Sequence, residues 1–145
     1  MASLYLLARL AGRDIAIPAE HVESVVRVSH VVPVPAVSPH ISGLFALRSR
    51  VLTLVDCHWL VEGRKRQIES EQLAIVVTID GHLYGLLVDA VQDIIAIEDK
   101  PLPVTGNIGS GWDAIGNQMV SIADTQLTLV LDAARVVNPA LANAA

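Results

Sequence analysis

The sequence predicts an all-β protein: two related five-stranded β-barrel subdomains packed together, with only short helices between strands. Three observations carry this reading. Apolar runs rich in Val, Ile and Leu recur about every ten residues and are separated by turn residues, the pattern of short strands rather than amphipathic helices. Gly12 and Gly81, 69 positions apart, have matching surroundings: Leu10 falls on Ile79, Ile15 on Tyr84, Ile17 on Leu86, Glu20 on Asp89, Val22 on Val91, Val25 on Ile94 and Val28 on Ile97, without a gap. Five short strands per repeat make a poor open sheet, and closure into a small barrel removes the exposed edges.

The elements follow in order. Leu4 to Leu10 and Arg13 to Ile17 flank Ala11-Gly12, and Leu73 to Ile79 and His82 to Leu87 flank Asp80-Gly81, so each repeat opens on a β-hairpin. A short helical segment is expected next, Ala19 to Ser24 behind Pro18 and Val88 to Asp93, then a strand, Val25 to Val28 and Ile94 to Ile97. At an offset of 76, Leu54-Val55-Asp56 lies over Val130-Leu131-Asp132, and each aspartate is placed to cap a short helix. The polar stretch Glu62 to Gln72 joins the two halves, about 4–72 and 73–137, of one domain, and residues 138–145 are expected to fray.

Composition bounds the function. The chain has 145 residues, 52% of them apolar and 17% charged, which excludes bulk disorder. No apolar run approaches the roughly 20 residues of a membrane-spanning helix. The opening MASLYLLARL lacks a basic segment before its apolar run, so no secretory signal is read and a cytoplasmic location is expected, without direct membrane insertion. Cys57 is the single cysteine, which forbids an internal disulfide and a zinc site of paired thiolates. A net charge of −5, with basic residues clustered only at Arg64-Lys65-Arg66, argues against nucleic acid. Aromatic residues are 3% of the chain, too few for base stacking or a wide aromatic cofactor pocket; no cofactor is expected. An aliphatic β-core that binds other proteins fits best.

The opening hairpin with Ile17-Pro18 and Val22, the run VPVPAVSPHISGLFALRSRVLTLVD from Val32 to Asp56, and GHLYGLLVDAVQDIIAI from Gly81 to Ile97 together resemble the CheW-like domain family. The resemblance covers roughly Leu4 to Val137. It implies two five-stranded barrels and a non-enzymatic adaptor. Such an adaptor joins the cytoplasmic tips of methyl-accepting chemoreceptors to the regulatory domain of a histidine autokinase of the CheA type. Where the family usually carries Asn, Leu, Arg and Gly, this chain reads Ala46, Leu47, Arg48 and Ser49, and an often acidic position is Ser24. Without that glycine, Ser49 must adopt strained backbone or the turn must change shape. The departures at Ser24 and Ser49 raise an alternative, an adaptor for a divergent chemosensory pathway governing surface motility or development.

Arg48 leads the partner-binding candidates, because its guanidinium offers a planar fork for a carboxylate. Gly43 and Gly85 correspond to small positions lining the family's docking groove, with a bulge or barrel corner as the alternative account. Val22, Val25 and Val91 read most economically as barrel core, and some as lining for a receptor helix; Ser24 lies beside them. Asp56-Cys57-His58 holds the raw material of a cysteine hydrolase or metal site, but adjacent side chains point in different directions and rarely serve one another. His21, His30, His40, His58 and His82 show no metal-ligand spacing and read as surface histidines. The glycine-rich run Thr105 to Gly116 fits no phosphate-binding pattern; it reads as a long surface loop in which Trp112 could anchor a contact.

Overall fold

The computed structural model describes residues 2–34, 38–64, 72–104, 106, 108–109, 111–122 and 126–138. Both expected hairpins and both capped helices are present. Strands β1 (Ser3–Leu10) and β2 (Arg13–Pro18) form the first hairpin, and β6 (Gln72–Ile79) and β7 (His82–Val88) the second. Ala11 and Gly12 take φ of 51° and 80°, and Asp80 and Gly81 take 52° and 80°, the pair of positive values that a two-residue hairpin turn matched to strand twist requires. Between the hairpins lie β3 (Val22–Val28), β4 (Ile41–Leu47), β5 (Arg50–Asp56) and helix α1 (Cys57–Glu62). After them come β8 (Ala90–Ile97), β9 (Leu102–Pro103), β10 (Gln118–Ser121), β11 (Leu127–Val130) and helix α2 (Ala133–Val137). Asp56 caps α1 by accepting from the Trp59 amide, and Asp132 caps α2 by accepting from Ala134 and Arg135.

Two expected helices are corrected. Only Ala19–His21 forms a single 3-10 turn, and the segment Val88 to Asp93 is strand apart from Asp89, so β8 starts at Ala90. One residue between β7 and β8 is too few to reverse the chain within a sheet; the strand runs on into the other sheet.

That passage reorders the architecture. One sheet runs β8-β1-β2-β11-β10-β9 and the other β3-β6-β7-β5-β4, so the opening hairpin of each repeat lies among strands of the other repeat. Sheets of six and five strands replace two barrels of five, and neither hydrogen-bond ladder closes. The free edges are managed locally. Val32 pairs with Leu44 through two main-chain bonds of 2.9 and 2.8 Å and covers part of β4, while β9 is two residues long and contains Pro103, which has no N–H to offer.

Both sheets curl without closing. Val26 and Val28 of β3 and Phe45 of β4, the two edge strands of the five-stranded sheet, share one apolar cluster with Leu54, Ala74 and Leu87. Tyr5, Ala16, Ile97, Val120 and Val130 fill the other lobe. The backs of the two sheets meet in the largest core, where Leu6, Ala8, Leu10, Ile15 and Ile17 pack with Val55, Ile75, Val77, Leu86 and Val88. β6 is therefore apolar on both faces, which explains the unbroken run LAIVV.

Candidate functional site

The candidate site lies at the mouth of the five-stranded lobe. A groove of about 400 Å³ is lined by Glu23, Ser24, Val25 and Val26 of β3, by Leu47 and Arg48 at the end of β4, and by Arg50 at the start of β5. Three sequence candidates, Ser24, Val25 and Arg48, thus meet at one place. Val25 is 39% exposed, which corrects its reading as core: it stands on β3, an edge strand of its sheet. Val22 and Val91 are half-buried and pack against the central core.

The Arg48-Ser49 turn differs in shape from the other two tight hairpin turns of this chain. Arg48 alone takes a positive φ, 58°, where the other two hairpins place both turn residues at positive φ. A left-handed L-residue is strained by roughly 1–2 kcal/mol, and such strain collects at functional positions. Arg48 is exposed and has no hydrogen bond or ion pair among the described residues. Replacing it with glycine is expected to raise stability by about 0.5–1 kcal/mol, read from denaturant midpoints, because glycine occupies that conformation freely.

The charges beside Arg48 are paired. Arg50 Nη1 donates to Glu23 Oε1 at 3.0 Å, and Thr78 Oγ1 of β6 donates to Glu23 Oε2 at 2.9 Å. These bonds hold the Glu23 carboxyl below its ordinary range, the Arg50 bond contributing most and Thr78 next. A depressed folded-state value means that the stabilisation is present above the unfolded value of about 4.3 and is lost as pH falls through the folded one. An NMR titration of the Glu23 side-chain carbon is expected to give a midpoint below 4.3, with a small effect on stability because the pair is exposed. Glu23, Arg50 and Thr78 are absent from the sequence candidates. They lie 27 and 28 positions apart along the chain, and no local pattern brings them together: the β3–β6 register sets Thr78 beside Glu23, and the curl of the sheet carries Arg50 of β5 across to β3.

Gly43 and Gly85 are both buried, and neither opens onto the groove. Gly43 sits at a register shift with φ 147°, where an added Cβ would lie 2.4 Å from the Val32 carbonyl oxygen. At Gly85 the same atom would lie 2.8 Å from a Leu54 methyl. Each lets a neighbour approach closely.

The enzyme reading of Asp56-Cys57-His58 fails on geometry. The Cys57 thiol is fully buried, and burial first, then the charges of Asp56 and Asp89, push it far above the ordinary thiol range, so no thiolate forms. Asp56 is engaged as a helix cap. His58 is buried rather than at the surface, with Nδ1 2.7 Å from Glu62 and Nε2 2.7 Å from Asp89. His40 is buried too, its Nε2 3.0 Å from the Val137 carbonyl. No group of three metal-ligating side chains occurs among the described residues.

With fold and groove in hand, the sequence finds its relatives. Residues 4–140 match the CheW-like domain. The chain belongs to that family. This CheW-like domain is 30% identical over 81 residues to the chemotaxis protein CheW of Rhizobium meliloti, covering 56% of this chain and 52% of the relative, so the match spans about half the relative's length. It is 24% identical over 115 residues to the chemotaxis protein CheW of Treponema pallidum, covering 77% and 68%. The crystal structure of the scaffolding protein TtCheW from Thermoanaerobacter tengcongensis superposes with a TM-score of 0.77 at 22% identity, covering 91% of this chain and 85% of that one, a likeness of fold.

Proposed function

We propose that this CheW-like domain is a chemotaxis adaptor that binds the cytoplasmic tip of a methyl-accepting receptor and the regulatory domain of a histidine autokinase, coupling one to the other in the cytoplasm beneath a receptor array. Function is then geometry: no bond is made or broken, and the relative placement of two docking surfaces sets kinase activity. The single observation carrying the reading is Arg48, a guanidinium without a partner among the described residues, held in left-handed backbone at the rim of a groove that also exposes Val25. A free planar cation beside apolar surface suits recognition of a protein carboxylate. Leu4 and Ile94, each 56% exposed and diagonal neighbours on one face of the β1–β8 pair, offer apolar surface for a helix. No helix among the described residues is long and apolar enough to cross a membrane.

Calorimetry of the purified chain with a receptor-tip helical hairpin, and separately with the kinase regulatory domain, tests the reading. Binding to both is expected. Binding to the kinase domain alone points to an adaptor of a divergent pathway, and binding to neither overturns the proposal. Arg48→Glu is expected to weaken one of the two partnerships roughly tenfold or more with the fold intact.

A further inference from the structure

We propose that Glu23 is the positioning residue for Arg48: through Arg50 it fixes the β4–β5 turn so that the Arg48 guanidinium is presented at the groove. The functional arm rests on the adaptor reading above; the conformational arm does not. Leu47 and Arg50 are the closing pair of the turn Arg48-Ser49, so whatever holds Arg50 holds the turn. Glu23 holds it with one carboxylate oxygen and spends the other on Thr78. Three strands, β3, β5 and β6, are thereby tied by side chains across the mouth of a sheet whose main-chain ladder does not close.

The pair is poorly placed to stabilise the fold. Its side chains are 39% and 52% exposed, and exposed ion pairs contribute little to stability. Its second carboxylate contact and its position next to a strained residue give it a geometric role instead. Among the described residues the Glu23 carboxylate takes up Arg50 and not Arg48. Arg48 is left without a side-chain partner among the described residues.

The test uses the full chain labelled with ¹⁵N. In Glu23→Ala, and to a lesser degree in Glu23→Gln, the amide resonances and φ-sensitive couplings of Arg48 and Ser49 are expected to shift. Those of the Asp80-Gly81 turn and the melting temperature stay put. Glu23→Arg combined with Arg50→Glu is expected to restore the Arg48 couplings, which a general loss of packing would not allow. On the functional arm, Glu23→Ala and Arg48→Ala each weaken the same partner about tenfold, and the double variant is no weaker than Arg48→Ala alone. Unchanged Arg48 couplings in Glu23→Ala overturn the proposal whatever the binding result. Shifted couplings with binding indifferent to Arg48→Ala uphold Glu23 as a positioning residue and count instead against the adaptor reading of this groove.

Discussion

Trp112→Ala is expected to destabilise the domain by about 3–5 kcal/mol, the range for truncating a large buried aromatic. Its indole is only 8% exposed and belongs to the core shared by both sheets. Arg13 covers its outer face, with the guanidinium carbon 4.6 Å from the ring centroid and Nη1 donating to the Ile108 carbonyl at 2.8 Å. Beside it Gly111 brings the loop against α1, where an added Cβ would stand 2.7 Å from the Leu60 and Val61 carbonyl oxygens. The tryptophan that the sequence left open as an anchor for an external contact therefore anchors the loop to the protein's own interior. Thermal unfolding checks this: a fall in melting temperature of roughly 10 °C or more is expected, and a change of a degree or two would place the side chain outside the core.

The second large effect is expected at Gly43. An alanine there must adopt a φ of 147°, a region essentially confined to glycine, and must displace Val32, whose carbonyl lies 2.4 Å from the new Cβ. Backbone strain of about 1–3 kcal/mol and overpacking of a similar size give a loss of roughly 3–4 kcal/mol. The damage is predicted to be local in origin, because Val32 is the residue that pairs with Leu44 at the edge of β4. Hydrogen exchange is expected to show the Leu44 and Val32 amides opening first. Gly43→Ala that unfolds normally but fails to bind partners would instead make the glycine part of a docking surface.

Local signals carried most of the fold. The Ala11-Gly12 and Asp80-Gly81 turns and the two capping aspartates were legible because each depends on neighbours in sequence, and the repeat exposed the shared strand order. What the sequence left open depends on residues far apart. Which sheet a hairpin joins is set by the one-residue passage at Asp89 and by pairing across the chain, neither of which has a local signature. Val25 and Trp112 show the same limit from opposite sides: a valine in a strand run is exposed on a strand that lies at the edge of its sheet, and a tryptophan in a glycine-rich loop is buried where that loop packs against α1. At the site, Arg48 was visible from its motif. Glu23 and Arg50 were not, since their meeting depends on the curl of the whole sheet.

The exchange of opening hairpins between sheets also bears on how the chain acquires its structure during synthesis. In the five-stranded sheet β6 and β7 are the interior strands between β3 and β5, and all of β3, β4 and β5 leave the ribosome before them. The first repeat therefore emerges with two strand groups that have no mutual ladder, and β1–β2 waits for β8 and β11 in the same way. Neither repeat completes a sheet by itself, and pairing between distant parts of the chain is the feature that slows folding in proteins dominated by non-local contacts. Each lobe takes strands from both halves of the chain, so removing either half takes strands out of both lobes at once.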